Sequence, residues 1–209
     1  MQAHPRAAFG WHGGFAPGGY EWWRFCAEGE GRRVVVTFYD GWPVDRLYRR
    51  AYHRYRRQPT RRTPPLPCDC RGFEASVYRG DQVEHRLALR LPPGELIATD
   101  DPSRIAIGLS RMEIEPDGSI RLHVQEQPPF AITLAFRPPA GVAASILGDP
   151  AVIAGQANWL AAPYRYDVTG MIGQQTLSAT GTWDHGWGDL RQGLELHPSV
   201  LRALGDLEI

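Results

Sequence analysis

Apolar residues recur at every second position along most of the chain. Over residues 83–91 the odd positions read Val83, His85, Leu87, Leu89 and Leu91, and the even ones Glu84, Arg86, Ala88 and Arg90. That spacing predicts a strand with one buried and one wet face, as antiparallel sheets show. Phe130, Ile132, Leu134 and Phe136 repeat it, and Ile120, Leu122 and Val124 do so on a shorter scale. Tyr164, Tyr166 and Val168 alternate with Arg165, Asp167 and Thr169, and Leu177, Ala179, Gly181 and Trp183 with Thr176, Ser178, Thr180 and Thr182. Turn residues separate these runs. Glu28-Gly29-Glu30-Gly31 divides residues 22–27 from 34–39, Arg79-Gly80-Asp81 joins 73–78 to the strand at Val83, and Pro116-Asp117-Gly118 suits a type I turn. Between Leu109 and Met112 the apolar phase slips by one residue, which predicts a β-bulge or a strand break. Roughly nine or ten short strands at hairpin spacing predict an all-β fold, a meander that closes into a barrel or folds over as a sandwich.

Residues 45–58 break the period of two. Asp45 is placed to cap a helix just after Pro43, and Tyr48, Ala51, Tyr52 and Tyr55 recur at helical spacing. Residues 198–204 suit a short terminal helix. Residues 58–67, with four prolines, form a loop. The expected organisation is an N-terminal arm (1–17), one β domain (18–190) with an inserted helix and Pro-rich loop (44–67), and a tail (191–209).

Composition narrows the function classes. Of 209 residues 43% are hydrophobic and 11% aromatic, enough for a sizeable core, and 23 basic residues balance 23 acidic ones, which argues against a nucleic-acid binder. Every basic residue is arginine, so Schiff-base and P-loop lysine chemistry is excluded. The first residues lack a basic segment followed by an apolar one, and no apolar run approaches the ~20 residues of a spanning helix. Cys26, Cys68 and Cys70 form neither a disulfide framework nor a structural zinc spacing, and adding His85 or His123 does not create one. A reduced, cytoplasmic setting with no metal and no cofactor is the expectation.

Two stretches could carry chemistry. In Gly18-Gly19-Tyr20-Glu21-Trp22-Trp23-Arg24-Phe25, a strand would put Glu21, Trp23 and Phe25 on one face and Trp22 and Arg24 on the other. Between aromatic rings Glu21 would lose hydration, and its pKa would rise towards that of a general acid. The alternative is that Glu21 pairs with an arginine and the tryptophans are core. In Gly181-Thr182-Trp183-Asp184-His185-Gly186-Trp187-Gly188-Asp189, two tryptophans enclose an Asp-His pair between glycines that would let backbone and ligand approach closely. Regular alternation places Trp183, His185 and Trp187 on one face and Asp184 on the other. Both members of the pair reach one cavity only if the strand bulges or ends at Gly186.

Together the two stretches resemble the carotenoid 1,2-hydratase (hydroxyneurosporene synthase) superfamily, which includes lipocalin-like proteins and fungal Diels–Alderases. Glu21, Trp22, Trp23 and Phe25 match its Glu-Trp-Trp-Tyr-Phe strand, and Asp184, His185, Trp187 and Gly188 its Asp-His-Asn-Trp-Gly loop. Arg24, Cys26 and Gly186 depart from it. The resemblance implies an antiparallel lipocalin-like β-barrel and a cofactor-independent enzyme acting on an isoprenoid or similar hydrophobic ligand. Asp184, His185 and Glu21 would be catalytic, and Trp22, Trp23, Phe25, Trp183 and Trp187 would hold the substrate. Acid-catalysed hydration of a carbon–carbon double bond is the first expectation; cyclisation or isomerisation in the same aromatic cavity and non-catalytic lipid binding are the alternatives. Family members resemble a tandem of two such barrels, whereas here one barrel holds the site, a homodimer completes it, or the chemistry is lost.

The predicted helix adds a surface. Eight arginines, among them Arg46, Arg49, Arg50, Arg54 and Arg57, fall within residues 45–62 against Asp45 alone. Such a helix, with its tyrosine stripe, could lie at the inner face of an anionic membrane, or its tyrosines could pack on the barrel and its arginines face solvent.

Overall fold

Nearly every predicted alternation becomes a strand paired with its neighbour in the chain. The computed structural model describes residues 11–12, 16–92, 96–98, 104–115, 117–125, 130–141, 151–153, 157–162 and 164–190. β1 (Gly19–Gly29), β2 (Arg32–Asp40), β3 (Arg71–Arg79) and β4 (Gln82–Leu91) form one antiparallel meander. β5 (Leu96–Ala98), β6 (Arg104–Ile107), β7 (Ser110–Ile114), β8 (Ile120–Gln125) and β9 (Ala131–Arg137) form a second, extended by β12 (Tyr166–Ile172). The last strand, β13 (Gln175–Asp189), unites them. One edge pairs with β1; the other pairs first with β12 and then with the hairpin of β10 (Ala151–Ile153) and β11 (Ala157–Ala161).

The strand order is β4-β3-β2-β1-β13-β12-β9-β8-β7-β6-β5. One apolar cluster takes residues from both halves, Val36, Phe38 and Phe73 on one side and Ile105, Met112 and Leu134 on the other. The sheet therefore curls into a nearly closed antiparallel barrel, lipocalin-like as expected. Among the described residues the sheet has thirteen strands; beside the nine or ten expected stand short segments such as β5 and β10, which carry no readable alternation. The slip before Met112 is a strand break: β6 and β7 join through a tight turn at Gly108 and exposed Leu109. The β1–β2 hairpin turns on Glu30 and Gly31, both at positive φ (54° and 70°), the handedness that two-residue hairpins need. Pro116 and residues 198–204 lie outside the described residues.

The helix forms where the sequence places it, as α1 (Arg46–Arg57), with the Asp45 side chain accepting from the Tyr48 backbone N–H at 2.7 Å. Its tyrosine stripe faces the barrel. Tyr48 and Tyr52 are buried in a second aromatic cluster with Tyr20, Trp22, Tyr39 and Trp42 on the outside of the sheet, and the Tyr48 hydroxyl donates to the Gly19 carbonyl at 2.6 Å. Arg46, Arg50, Arg54 and Arg57 are exposed and Arg49 is half-buried. No helix among the described residues is long and apolar enough to cross a membrane.

Candidate functional site

β1 and β13 run side by side in unbroken register from Gly19↔Asp189 to Glu28↔Thr180. With no bulge to change the phase, one face of β1 (Glu21, Trp23, Phe25) and one face of β13 (Trp183, His185, Trp187) turn into the barrel together. The two tryptophan-bearing stretches, more than 150 residues apart in the chain, thus converge on one end of the interior.

Glu21 and His185 are both almost completely buried there, and His185 Nε2 lies 2.8 Å from Glu21 Oε1. The His185 ring stacks on Trp23 (centroids 5.0 Å apart, planes at 14°). Over this end of the interior lies Trp11-His12. The His12 backbone N–H donates to both Glu21 oxygens, its Nδ1 is 2.9 Å from Oε1, and its ring stacks on Trp187 at 3.9 Å. Trp11 donates its indole N–H to Asp40 at 2.7 Å, and Asp40 accepts from Arg71 at 2.8 Å. Asp40 is the cross-strand partner of both Glu21 and Arg71. A polar layer of Glu21, His185, Asp40 and Arg71 therefore closes one end of an apolar interior, and Trp11 and His12 lie over it.

The two carboxyls of this layer move in opposite directions. Burial pushes Glu21 up, but hydrogen bonds from His12 and His185 outweigh it, so its pKa falls below the ordinary carboxylate value. This corrects the expectation of a raised Glu21: the aromatic surroundings are as foreseen, but two imidazoles supply donors as well. Asp40 is raised, because its burial outweighs the hydrogen bonds from Arg71 and Trp11 and the Glu21 charge adds to it. Opposed shifts in adjacent groups are how one site holds an acid and a base together.

The remaining expected site residues divide by face. Phe25 and Trp183 lie deeper in the interior cluster, where the Trp183 indole N–H donates to the Tyr166 hydroxyl at 3.1 Å. Trp22 is outside the barrel, in the aromatic cluster under α1, so it does not line the interior beside Trp23. Asp184 is outside as well, buried and ion-paired with Arg24. Expected to share a cavity with His185, it cannot, because β13 continues straight through Gly186 to Asp189. The glycines have a different use from the one expected. A Cβ on Gly186 would stand 2.5 Å from the Trp22 ring, and one on Gly188 2.7 Å from the Tyr20 hydroxyl, so both make room for β1 aromatics on the outer face.

His12, Asp40 and Arg71 belong to the layer but were not singled out from the sequence. For Asp40 and Arg71 a signal existed: each is the charged last member of an apolar alternation, Val34-Val36-Phe38-Asp40 and Val77-Ala75-Phe73-Arg71. His12 lies outside any periodic segment. Elsewhere, His85 is exposed on β4, 4.9 Å from the Phe130 ring, and Cys68-Asp69-Cys70 sits on and beside a 3₁₀ turn (Pro67–Asp69) with Cys70 buried. All three cysteines are free.

Comparison with known proteins supports the fold and the resemblance. No family model matches the chain. Over 93 residues, 44% of this chain and 24% of its relative, it is 34% identical to hydroxyneurosporene dehydrogenase of Chlorobaculum tepidum. The crystal structure of the AttH protein of Nitrosomonas europaea superposes with a TM-score of 0.58 at 16% identity, covering 95% of this chain and 57% of that one. CghA, solved with Sch210972, superposes with a TM-score of 0.43 at 15% identity over 82% of this chain and 46% of its own. The chain thus spans about a quarter of the curated relative it matches and little more than half of its structural neighbour. The likeness to AttH is one of fold, and the 34% identity to hydroxyneurosporene dehydrogenase extends over less than half of this chain.

Proposed function

We propose, taking the chain as a one-domain relative of the lipocalin-like hydratases and cyclases, that it is an enzyme performing acid–base chemistry on a double bond of an apolar, isoprenoid-like ligand. The observation that carries this reading is the convergence of Glu21, Asp40 and His185 with Trp23 and Trp187 at the end of an otherwise apolar interior. Asp40, the carboxyl that burial keeps protonated more readily, gives its proton to the less substituted carbon of a trisubstituted alkene. The tertiary cation that results is stabilised by the π faces of Trp23 and Trp187. Water then adds to the cation and loses its proton to the His185–Glu21 pair, from which it returns to Asp40 through solvent. Net, one water adds across one double bond, and no cofactor is needed. With an internal alkene in place of water as the nucleophile, the same residues would close a ring. The arginine face of α1 stands on the outside of the same barrel end. It would hold the mouth near an anionic bilayer in which such a ligand dissolves, each arginine near the surface contributing about 1 kcal/mol.

The test is turnover of a panel of linear isoprenoids and polyenes by purified protein, with products identified by mass and by ¹⁸O uptake from labelled water. Asp40→Asn and His185→Gln should each lower turnover by about 10²–10⁴, the usual contribution of a positioned acid or base. Asp184→Asn, on the outer face, should leave the rate per folded molecule unchanged. Binding of polyenes without turnover would instead make the barrel a lipid carrier. Loss of activity in Asp184→Asn at full folding would return the acid to that residue.

A further inference from the structure

The polar layer also presents a donor set that proton chemistry alone does not require. His12 Nδ1 and His185 Nε2 approach the same Glu21 oxygen at 2.9 and 2.8 Å, and one ligating atom from each of the three residues lies within 4.8 Å of the other two. We propose that His12, Glu21 and His185 bind one divalent transition-metal ion of the zinc type, with at least one coordination position left open to solvent or ligand.

Four observations support the assignment. The donors are two imidazole nitrogens and one carboxylate oxygen, which suit borderline ions such as zinc or cobalt; magnesium and calcium require more oxygens than this layer offers. The spacing is close to that of a coordination shell. With ligands at about 2.0–2.2 Å from zinc, neighbouring donors in a tetrahedron stand about 3.4 Å apart, so the ion opens the two imidazole–carboxylate contacts by only about half an ångström, while the two imidazole donors already lie within 4.8 Å of each other. His12, whose side chain is 30% exposed, can give way by that much. The rings are already oriented, His185 by its stack on Trp23 and His12 by its stack on Trp187, which lowers the entropy lost on coordination. Finally, the buried Glu21 carboxylate has two imidazoles as its side-chain partners and no guanidinium among the described residues, and a cation there balances its charge. Because His12 is exposed while Glu21 and His185 are buried, the ion would enter from the His12 side and keep a solvent-facing position there. Three protein ligands and an open one are the arrangement of a reactive metal site, not of a structural one.

The ion would occupy Glu21 and His185, the pair that the polyene reading uses as a base, and one set of measurements separates the two readings. The full chain, stripped with a chelator, is titrated with Co(II) and then Zn(II), followed by calorimetry and by visible absorption. The expected result is one Co(II) per chain with the d–d bands of a low-coordinate nitrogen and oxygen site, displaced by Zn(II). Affinity should weaken as pH falls, because the imidazoles must be unprotonated to ligate. His12→Ala should weaken binding at least tenfold. It lies outside the strands, and near-UV circular dichroism confirms folding. His53→Ala, on the exposed face of α1, should change nothing. The inference is overturned if the folded chain takes up no Co(II), or if uptake survives His12→Ala and disappears in Cys68→Ser or Cys70→Ser. Turnover retained by a chain that binds no metal overturns this site alone, whereas metal binding in a chain that turns over no polyene leaves it standing.

Discussion

Exchanging Glu21 for Gln removes one buried negative charge and keeps the side chain's shape. The carboxylate accepts from the His12 backbone N–H, from His12 Nδ1 and from His185 Nε2. A carboxamide offers one oxygen and turns an NH₂ group towards donors. Hydrogen bonds to a charged group contribute about 1.5–3 kcal/mol and neutral ones about 0.5–1.5, so losing charge assistance in the two imidazole bonds costs about 2–3 kcal/mol, and a donor facing a donor adds about 1 more. A total of about 3–4 kcal/mol lowers Tm by about 6–16 °C in a domain of this size. The pH dependence has a definite sign. Although burial pushes Glu21 up, the hydrogen bonds from His12 and His185 depress its folded pKa below the unfolded one. Its contribution is therefore fully present above the unfolded carboxyl range near about 4.3 and is lost as pH falls through the folded value. Calorimetric melts of wild type and E21Q at fixed ionic strength, from pH 7 down to pH 3, should show a large gap that persists to about pH 5 and then narrows. Equal Tm values at pH 7, or a gap that widens on acidification, would refute the assignment of Glu21 as an ionised acceptor.

Other outcomes follow from the same geometry. Gly186→Ala puts a methyl group 2.5 Å from the Trp22 ring and should destabilise by about 1–3 kcal/mol in chemical denaturation, with partial recovery in Gly186→Ala/Trp22→Phe. Asp184→Asn breaks the outer ion pair with Arg24; because Arg24 is partly solvated, the stability loss should fall below the 3–5 kcal/mol typical of fully buried pairs, read in the same denaturation curves. Reversing Arg50, Arg54 and Arg57 to Glu should abolish flotation with phosphatidylserine vesicles at low salt and leave the melting curve nearly unchanged, since all three are exposed. Cys70 is buried, and that burial pushes its thiol up to about 12. It should resist a thiol reagent at pH 8 until the chain unfolds.

Period-two alternation was enough to sort Glu21, Trp23, His185 and Trp187 onto one face, because β1 and β13 pair without a bulge. The same rule put Asp184 and Trp22 on the other face, and only the idea that a catalytic Asp-His pair acts in one cavity pulled Asp184 inward. Phase outweighs sequence adjacency in a strand. The charge of Glu21 was not legible, since it depends on donors nine and 164 residues away. Asp40 and Arg71 were readable as charged ends of apolar runs, but their meeting at one barrel rim follows from the β2–β3 register. The helix was legible in both its cap and its stripe. Its tyrosines turn towards the sheet because Trp22, Tyr39 and Trp42 supply an outer aromatic surface to cover.

The two terminal strands of the sheet, β4 and β5, are not hydrogen-bonded to each other. Every other neighbouring pair among the described strands is joined by backbone hydrogen bonds, so no ladder closes the sheet between its two ends. The interior residues along that border, Leu87, Leu89 and Leu91, are only half-buried. The fully laddered half, β1 beside β13, carries Glu21 and His185, so the ionisable groups sit where the wall is held on both sides, away from the sheet's two unpaired edges. Charged side chains such as Arg86 and Arg90 on the β4 rim discourage a neighbouring molecule from stitching itself on.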